Sequence, residues 1–379
     1  MRIMWLSNAP WAASGYGQQS RIFLTRLADM GHTMAITCFY GLEGGVLNMG
    51  KFLCYPKRMH PYGNDVIVPH AASFNADIMV SLMDTWVMNP EDYPKPMRWV
   101  PWYPVDHDPM PNIVRSKIAL AYKRITFSQH GVKMTHNAGL DCYYVPHGIE
   151  TNIFKPLDKQ ECRQKLGIPT DKWVIGTVAM NKGNPSRKCF SEMMDAFASF
   201  HRKHPDSVYV LQTDKGEGID GMVNLPELAR NLGLEEGKDV IFCNQYQNVL
   251  GYPPEYLADF YNCLDVHLIT TKGEGFGIPT LEAQSCGVPV IAGGWTATDE
   301  LIFCGQRLDK EQDAEREYSG LASYQFRPRI GAIEAALEEE YRNPSDGSIG
   351  AKRALEYDAD YVAKNHWEPV LKEIEEGLV

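Results

Sequence analysis

The sequence contains no Cys-x-x-Cys pair, no internal repeat, no low-complexity segment and no run of about 18 apolar residues. These absences exclude a cysteine-ligated zinc module, a solenoid, an extended disordered region and a membrane-spanning helix. Nine cysteines are scattered along the chain, which suits reduced, buried thiols in a cytoplasmic setting better than a disulfide framework. The opening Met1-Arg2-Ile3-Met4-Trp5-Leu6 has too short an apolar core for a secretory signal and reads as a first strand. Positive charge is also in short supply: 37 Lys and Arg stand against 48 Asp and Glu, for a net charge of −11. The deficit lies in one half only. Residues 1–170 carry 17 basic and 13 acidic side chains with seven histidines, whereas residues 171–379 carry 20 and 35. Acidic surface helices around Glu338-Glu339-Glu340 and around Glu373, Glu375 and Glu376 explain the second half as a solvated surface. The basic excess of the first half points to an anionic partner.

What the chain does hold is apolar material. Of 379 residues, 44% are hydrophobic and 22% charged, enough for two cores. Apolar runs at 2–6, 34–39, 78–82, 99–103, 125–127 and 143–145 read as buried parallel strands, with a helix over 18–30 that aligns Ile22, Phe23, Leu27 and Met30. A second series starts with a strand at 173–178 and a helix carrying Phe190, Met193, Met194, Phe197 and Phe200 at helical spacing. Strands at 208–211, 240–242 and 266–269 continue it. Two such series in tandem predict an α/β protein of two doubly wound parallel-sheet domains, with ligands at the carboxyl ends of the strands. The break at Lys155-Pro156-Leu157 puts the linker within 154–169. The expected domains are 1–165 and 166–356, with a last helix at about 357–379 packing back on the first.

The most specific segment is Gly273-Glu274-Gly275-Phe276-Gly277-Ile278-Pro279-Thr280-Leu281-Glu282, which runs on to Cys286-Gly287-Val288-Pro289-Val290-Ile291. Gly275 and Gly277 permit a sharp turn and close approach of backbone to a ligand. Pro279 stands where a helix can begin without its N–H, Gly287 ends that helix, and 288–292 reads as a short buried strand. Such a helix start offers N–H groups and the positive end of its dipole to a phosphate. Two glutamates with seven residues between them bracket the site. An ordinary tight turn with two surface acids would explain each feature singly, but not all of them together.

This segment resembles the donor-binding signature of retaining nucleotide-sugar glycosyltransferases of the GT-B fold, particularly glycosyltransferase family 4, whose pattern E-G-F-G-x-x-x-x-E has a glutamate at each end. The resemblance, which extends weakly along most of the chain, implies two Rossmann-like domains facing a cleft. It implies that Glu282 binds the nucleotide ribose hydroxyls and that Glu274 faces the donor sugar. The N–H groups of Phe276, Gly277 and Ile278 would hold sugar or diphosphate.

Four further segments bear on chemistry. Ser14-Gly15-Tyr16-Gly17 closes a loop over 8–17, and the resemblance gives Gly15 and Gly17 a place over the donor diphosphate and acceptor. In Asn181-Lys182-Gly183-Asn184-Pro185-Ser186-Arg187-Lys188, Lys188 matches the family's diphosphate lysine. Met180 or Asn181 stands where the family has an arginine, with Arg187 or Lys182 as its replacement; Asn181 and Arg187 join the donor set. Tyr103-Pro104-Val105-Asp106-His107-Asp108-Pro109 contains an Asp-x-Asp, the manganese motif of the rival GT-A fold, in which two carboxylates bridge a metal to a diphosphate. The resemblance instead assigns Asp106 and His107 to the reaction centre without a metal, and leaves Asp108 to a turn. A purely structural His107 capping its loop is the alternative. Pro146-His147-Gly148-Ile149-Glu150 resembles the family's interdomain turn and reads as structural.

The activity implied is retaining, metal-independent transfer of a sugar from a nucleotide diphospho-sugar, UDP-sugar ahead of GDP-sugar, to a hydroxyl, with no cofactor. Asp106, His107, Lys188 and Glu274 form the catalytic set, and cations with helix-end N–H groups stabilise the leaving diphosphate. Arg115, Lys117, Lys123, Arg124 and Lys133, partly on a helix over 113–122, form an acceptor-side basic patch. It suits an anionic acceptor: a lipid-linked glycan, a phosphorylated small molecule or a hydroxylated DNA base. A solvated helix with no partner is the competing reading of the patch. For the whole chain, a non-catalytic sugar-nucleotide or nucleic-acid binding protein of the same fold competes, on the missing arginine near Met180. A phosphorylase comes last, for want of a pyridoxal phosphate lysine motif.

Overall fold

Strands buried on both faces read as unbroken apolar runs, and they build both sheets of this chain. In the computed structural model, which describes residues 1–95 and 97–378, such runs form two compact units. Unit 1 takes Met1–Ile149, Gly320–Ser323 and the segment from Glu356 onward; unit 2 takes Glu150–Ser319 and Tyr324–Leu355. Val379, the end of the helix expected at 357–379, lies outside the described residues.

In unit 1 the strands are β1 (Arg2–Asn8), β2 (Thr33–Tyr40), β3 (Leu47–Asn48), β4 (Phe52–Pro56), β5 (Ile78–Leu82), β6 (Trp99–Tyr103), β7 (Ile125–Thr126) and β8 (Tyr143–Tyr144). They form one sheet in the order β3-β4-β2-β1-β5-β6-β7-β8, parallel throughout except for β3 against β4. Helices α1 (Gly15–Asp29), α2 (Ile67–Phe74), α3 (Asn112–Ile118) and α4 (Gln129–Asn137) connect them. Trp5, Phe23, Trp102 and Trp367 pack edge to face or tilted, with centroids 4.9–6.0 Å apart, and all four are fully buried. Each such ring contributes roughly 1.5–3 kcal/mol of burial. Gln19 clamps the turn expected to be structural, donating to Gly148 O at 2.8 Å and accepting from its N–H at 2.9 Å.

α1 begins at Gly15, so the expected loop over 8–17 ends sooner than glycine content suggests. Ser14 is the cause. Its hydroxyl accepts the Gly17 N–H at 3.1 Å and the Asn8 amide at 2.6 Å, an N-cap that starts the helix despite two glycines in its first turn. Gly17 is required by space: a Cβ there would lie 2.4 Å from Ala12 O and 2.9 Å from Ala9 O. Gly17→Ala is expected to lower unfolding stability by roughly 1–3 kcal/mol, since backbone and not side chain must yield. Urea unfolding measures this, and an unchanged midpoint would show that residues 9–14 give way freely.

Unit 2 contains α5 (Lys159–Leu166), β9 (Trp173–Val178), α6 (Phe190–Lys203), β10 (Ser207–Gln212), α7 (Leu225–Asn231), β11 (Val240–Phe242), α8 (Gln245–Leu250), α9 (Pro254–Asn262) and β12 (Val266–Ile269). α10 (Ile278–Ser285), β13 (Val290–Gly293), β14 (Gly305–Leu308), the hairpin strands β15 (Ala314–Tyr318) and β16 (Tyr324–Pro328), α11 (Ile330–Arg342) and α12 (Gly347–Ala354) follow. Its sheet is wholly parallel in the order β11-β10-β9-β12-β13-β14, the doubly wound arrangement whose direction reverses between β9 and β12. Phe190, Met193, Met194, Phe197 and Phe200 of α6 are all fully buried in its core. The chain then returns to unit 1 through α13 (Ala359–Val362), a wide turn at Ala363–Trp367 and α14 (Glu368–Glu376).

The division falls at Ile149, so the segment expected to be a linker is folded into unit 2. Phe154 and Ile168 sit in its core, and Arg163 of α5 donates to Cys263 O at 2.8 Å and Asp265 at 2.7 Å. The polar run Lys-Gln-Glu-Cys-Arg-Gln-Lys-Leu hid this helix, which Asp158 caps. Among the described residues no helix is long and apolar enough to cross a membrane.

Candidate active site

The reversal between β9 and β12 places two loops side by side. Residues 179–189 leave the carboxyl end of β9, and residues 270–277 leave that of β12. The Lys272 N–H donates to Arg187 O at 2.9 Å and stitches the loops together. The side chains then converge. Lys188 Nζ meets Glu274 Oε1 at 2.5 Å, Arg187 Nη1 lies 3.4 Å from Glu274 Oε2, and Arg187 also donates to Gly273 O. Glu274 is held from behind, its N–H donating to Thr296 Oγ1 at 3.0 Å. Burial opposes ionisation of Glu274, but the charges of Lys188 and Arg187, with hydrogen bonds from Lys188 and Thr271, outweigh it and hold the carboxyl below the usual carboxylate range.

α10 starts at this same point. Its N-cap, Gly277, has φ 111°, a value that suits glycine, and no side chain caps the helix. A Cβ on Gly277 would press to 3.1 Å of Thr298 Cγ2. Gly275, Gly277 and Ile278 stay partly open to solvent while Phe276 is buried, so the uncapped helix start faces outward beside Glu274. Glu282 is buried further along α10 and accepts a hydrogen bond from the Tyr261 hydroxyl at 2.9 Å. Burial and the Glu282 charge both push the Tyr261 phenol well up, so it stays a donor and keeps the carboxylate aligned.

Asn181, expected among the donor ligands, has its side-chain amide bonded within unit 2. Its amide N–H groups donate to Asp214 O at 3.1 Å and Val223 O at 2.7 Å, and its oxygen accepts from Val223 N at 3.2 Å. Both donors are therefore committed to the 214–223 loop. Met180, the other residue expected at the place of the family's arginine, is 59% exposed, and Arg187 supplies the second cation.

In unit 1, His107 Nδ1 pairs with Asp106 Oδ1 at 2.7 Å at the end of β6, and His130 Nε2 bonds His107 O at 2.9 Å. Gly15 and Gly17 open α1, and the Gly17 N–H is taken by Ser14. Residues of the expected basic patch have partners within unit 1. Lys117 pairs with Glu91 at 2.6 Å, Lys123 bonds the Tyr143 hydroxyl at 3.1 Å with Glu373 at 3.6 Å, and Arg115 and Arg124 donate to the carbonyls of Ala138 and Ile118. Lys133 is exposed on α4. Two of the five charges thus face a carboxylate, and the neutral carbonyls that Arg115 and Arg124 bond leave theirs uncancelled.

The sequence reading missed three residues of the site: Thr296, Tyr261 and Lys272. Thr296 has φ 53°, rare for a β-branched residue, and the preceding Gly293-Gly294 was the one local sign of a constrained turn.

Two doubly wound parallel sheets, with cations and a carboxylate at a strand-order reversal, define the GT-B fold. Residues 181–315, within unit 2, match the family described as Glycosyl transferases group 1. D-inositol 3-phosphate glycosyltransferase of Acidothermus cellulolyticus is 29% identical over 226 residues, covering 55% of this chain and 47% of that protein. Lipopolysaccharide core biosynthesis mannosyltransferase LpsB of Rhizobium meliloti is 26% identical over 219 residues, covering 52% and 57%. The match thus spans about half the length of these curated relatives. Among solved structures, sucrose-phosphate synthase of Thermosynechococcus elongatus superposes with a TM-score of 0.76 at 15% identity, over 99% of this chain and 100% of that one. Anabaena HepE in complex with UDP and glucose gives 0.67 at 16% identity, over 98% and 100%. At these identities the likeness is one of fold.

Proposed function

We propose that the protein is a retaining glycosyltransferase that moves the sugar of a nucleotide diphospho-sugar, UDP-sugar ahead of GDP-sugar, to a hydroxyl acceptor without a metal. The observation that carries this reading is the convergence of Lys188 and Arg187 on Glu274 beside the uncapped start of α10. Two cations and a helix dipole make an anion site, and Glu274 occupies its cations until a diphosphate replaces it. The freed carboxylate then accepts from sugar hydroxyls, while Glu282, aligned by Tyr261, accepts from the ribose. In the reaction the bond from the anomeric carbon to the phosphate oxygen breaks, and its electrons leave on UDP. Lys188, Arg187 and the α10 N–H groups stabilise that growing charge. The acceptor oxygen bonds the same face, its proton passes to the departing phosphate, and configuration is retained. Asp106 and His107 of unit 1 serve the reaction centre. A reducing, cytoplasmic setting belongs to the same proposal, in keeping with nine free thiols.

A thermal-shift series over UDP, GDP, ADP and their sugars tests the reading. UDP is the first choice because neighbours of this fold were solved with UDP and glucose and with UDP-2-fluoro glucose. Ligand at about 100 times its Kd stabilises the folded state by about 2.7 kcal/mol, a readable shift. Glu282→Ala should abolish most of that shift, whereas Glu274→Ala should keep it and lose turnover. Wild-type shift and rate in both variants would overturn the assignment.

A further inference from the structure

Lys272 stands two residues before Glu274, and its side chain is only 6% exposed, a place lysine occupies with a partner or not at all. Its ammonium meets Glu317 Oε1 at 2.7 Å. Its backbone is gripped on both sides: the N–H donates to Arg187 O at 2.9 Å, and the carbonyl accepts the Phe326 N–H at 2.8 Å. Glu317 and Phe326 come from β15 and β16, a two-stranded hairpin outside the six-stranded sheet. The hairpin is itself braced, with Arg327 paired to Glu315 at 2.5 Å, the Lys310 ammonium 4.4 Å over the Phe326 ring, and Phe326 buried. The segment shared with the group 1 family ends at Glu315, at the hairpin's start.

An ion pair between a buried ammonium and a half-exposed carboxylate adds little net stability, so stability alone is a weak reason for a lysine here. Position supplies a stronger one. Deepening the transferase reading above, on which it rests, we propose that Lys272 is a positioning residue of the donor site, through which the β15–β16 hairpin sets the Glu274 carboxylate against Arg187 and Lys188. Glu317 and Phe326 fix Lys272 from one side. Lys272 fixes Gly273-Glu274 by chain continuity and the Arg187-Lys188 segment by its N–H bond. Geometry at a site of developing charge governs turnover more than ground-state affinity, because a small misplacement weakens interactions made in the transition state. Donor-site geometry in this chain then depends on a hairpin that lies outside the six-stranded sheet.

The test measures kcat, donor KM and melting temperature for Lys272→Met, Glu317→Gln, their double variant and Lys272→Arg, with UDP-sugar as donor. Each of the first two should lower kcat about tenfold with donor KM within about threefold, the pattern of a transition-state loss. The double variant should be no slower than the slower single one, because both changes remove one interaction. Lys272→Arg should recover most of kcat, and melting temperatures should stay within a few degrees. Glu317→Gln, on the half-exposed side of the pair, carries the test if Lys272→Met fails to fold. Wild-type kcat in the variants, additive losses, or losses that track melting temperature would overturn the positioning role and leave the transferase reading standing. A wild-type protein that neither binds UDP nor turns over any donor would overturn both.

Discussion

Lys188→Ala should lower kcat at least tenfold, about 1.4 kcal/mol in the barrier, by removing a cation from the leaving diphosphate. The structure adds a second signature. Without Lys188, the buried Glu274 carboxylate keeps Arg187, at 3.4 Å, and the Thr271 hydrogen bond against the desolvation that opposes its ionisation. Its pKa should climb, and the acid limb of the rate profile should move to higher pH. Lys188→Arg should restore part of the rate, since the charge returns while the point geometry of the ammonium does not. Stability should fall by less than the 3–5 kcal/mol typical of halving a fully buried pair, because Lys188 is 20% exposed. Initial rates of UDP release, with and without EDTA, provide the measurement. A rate within twofold of wild type would remove Lys188 from the site, and complete, metal-reversible loss in EDTA would favour a metal at Asp106 and Asp108.

Acid should destabilise unit 2, and one histidine should carry much of the effect. His267 lies in β12, fully buried, with Nδ1 3.1 Å from Gly176 O, and burial pushes its pKa down to about 3. A base whose pKa is depressed on folding binds more protons when unfolded, so stability is complete above about 6.5 and falls as pH drops toward 3. At pH 5 the loss from His267 alone is about 2 kcal/mol. Glu274 acts with the same sign at lower pH: its depressed carboxyl stabilises above the ordinary carboxylate range, and that stability goes as pH falls through its folded pKa. Urea unfolding at pH 7.5 and pH 5 should therefore show a steeper pH dependence for wild type than for His267→Gln, which cannot take the proton. Parallel profiles would assign the acid sensitivity to other groups.

Much of this fold is legible in the sequence because parallel strands buried on both faces leave continuous apolar runs, as Ile78–Leu82, Trp99–Tyr103 and Trp173–Val178 do. The site is partly legible for a different reason. Lys188 and Glu274 are 86 positions apart, but each sits in its own local pattern at a strand end. What stays hidden depends on contacts that leave no local mark. Tyr261 reaches Glu282 only because α9 packs on α10. β15 reads Ala-Glu-Arg-Glu-Tyr, with no apolar alternation to announce a strand. The basic run from Arg115 to Lys133 shows its charge in sequence but not the Glu91 that pairs with Lys117 or the Glu373 that approaches Lys123, one before the run and one far after. Asn181 lies with Met180 where the family has an arginine, yet its side-chain partners lie 33 and 42 residues ahead.

The return of the chain to unit 1 has a bearing on biosynthesis. Trp367 stacks within the core formed by Trp5, Phe23 and Trp102, and Ile149 pairs with backbone of Tyr357 and Ala359. A chain emerging amino end first makes Trp5 long before Trp367. Unit 2, nearly continuous from Glu150 to Leu355, can close its core while unit 1 still waits for the helices that seal it. On the ribosome, the unit that is begun first is therefore completed only after the second, with an open tryptophan-lined face until Trp367 is made.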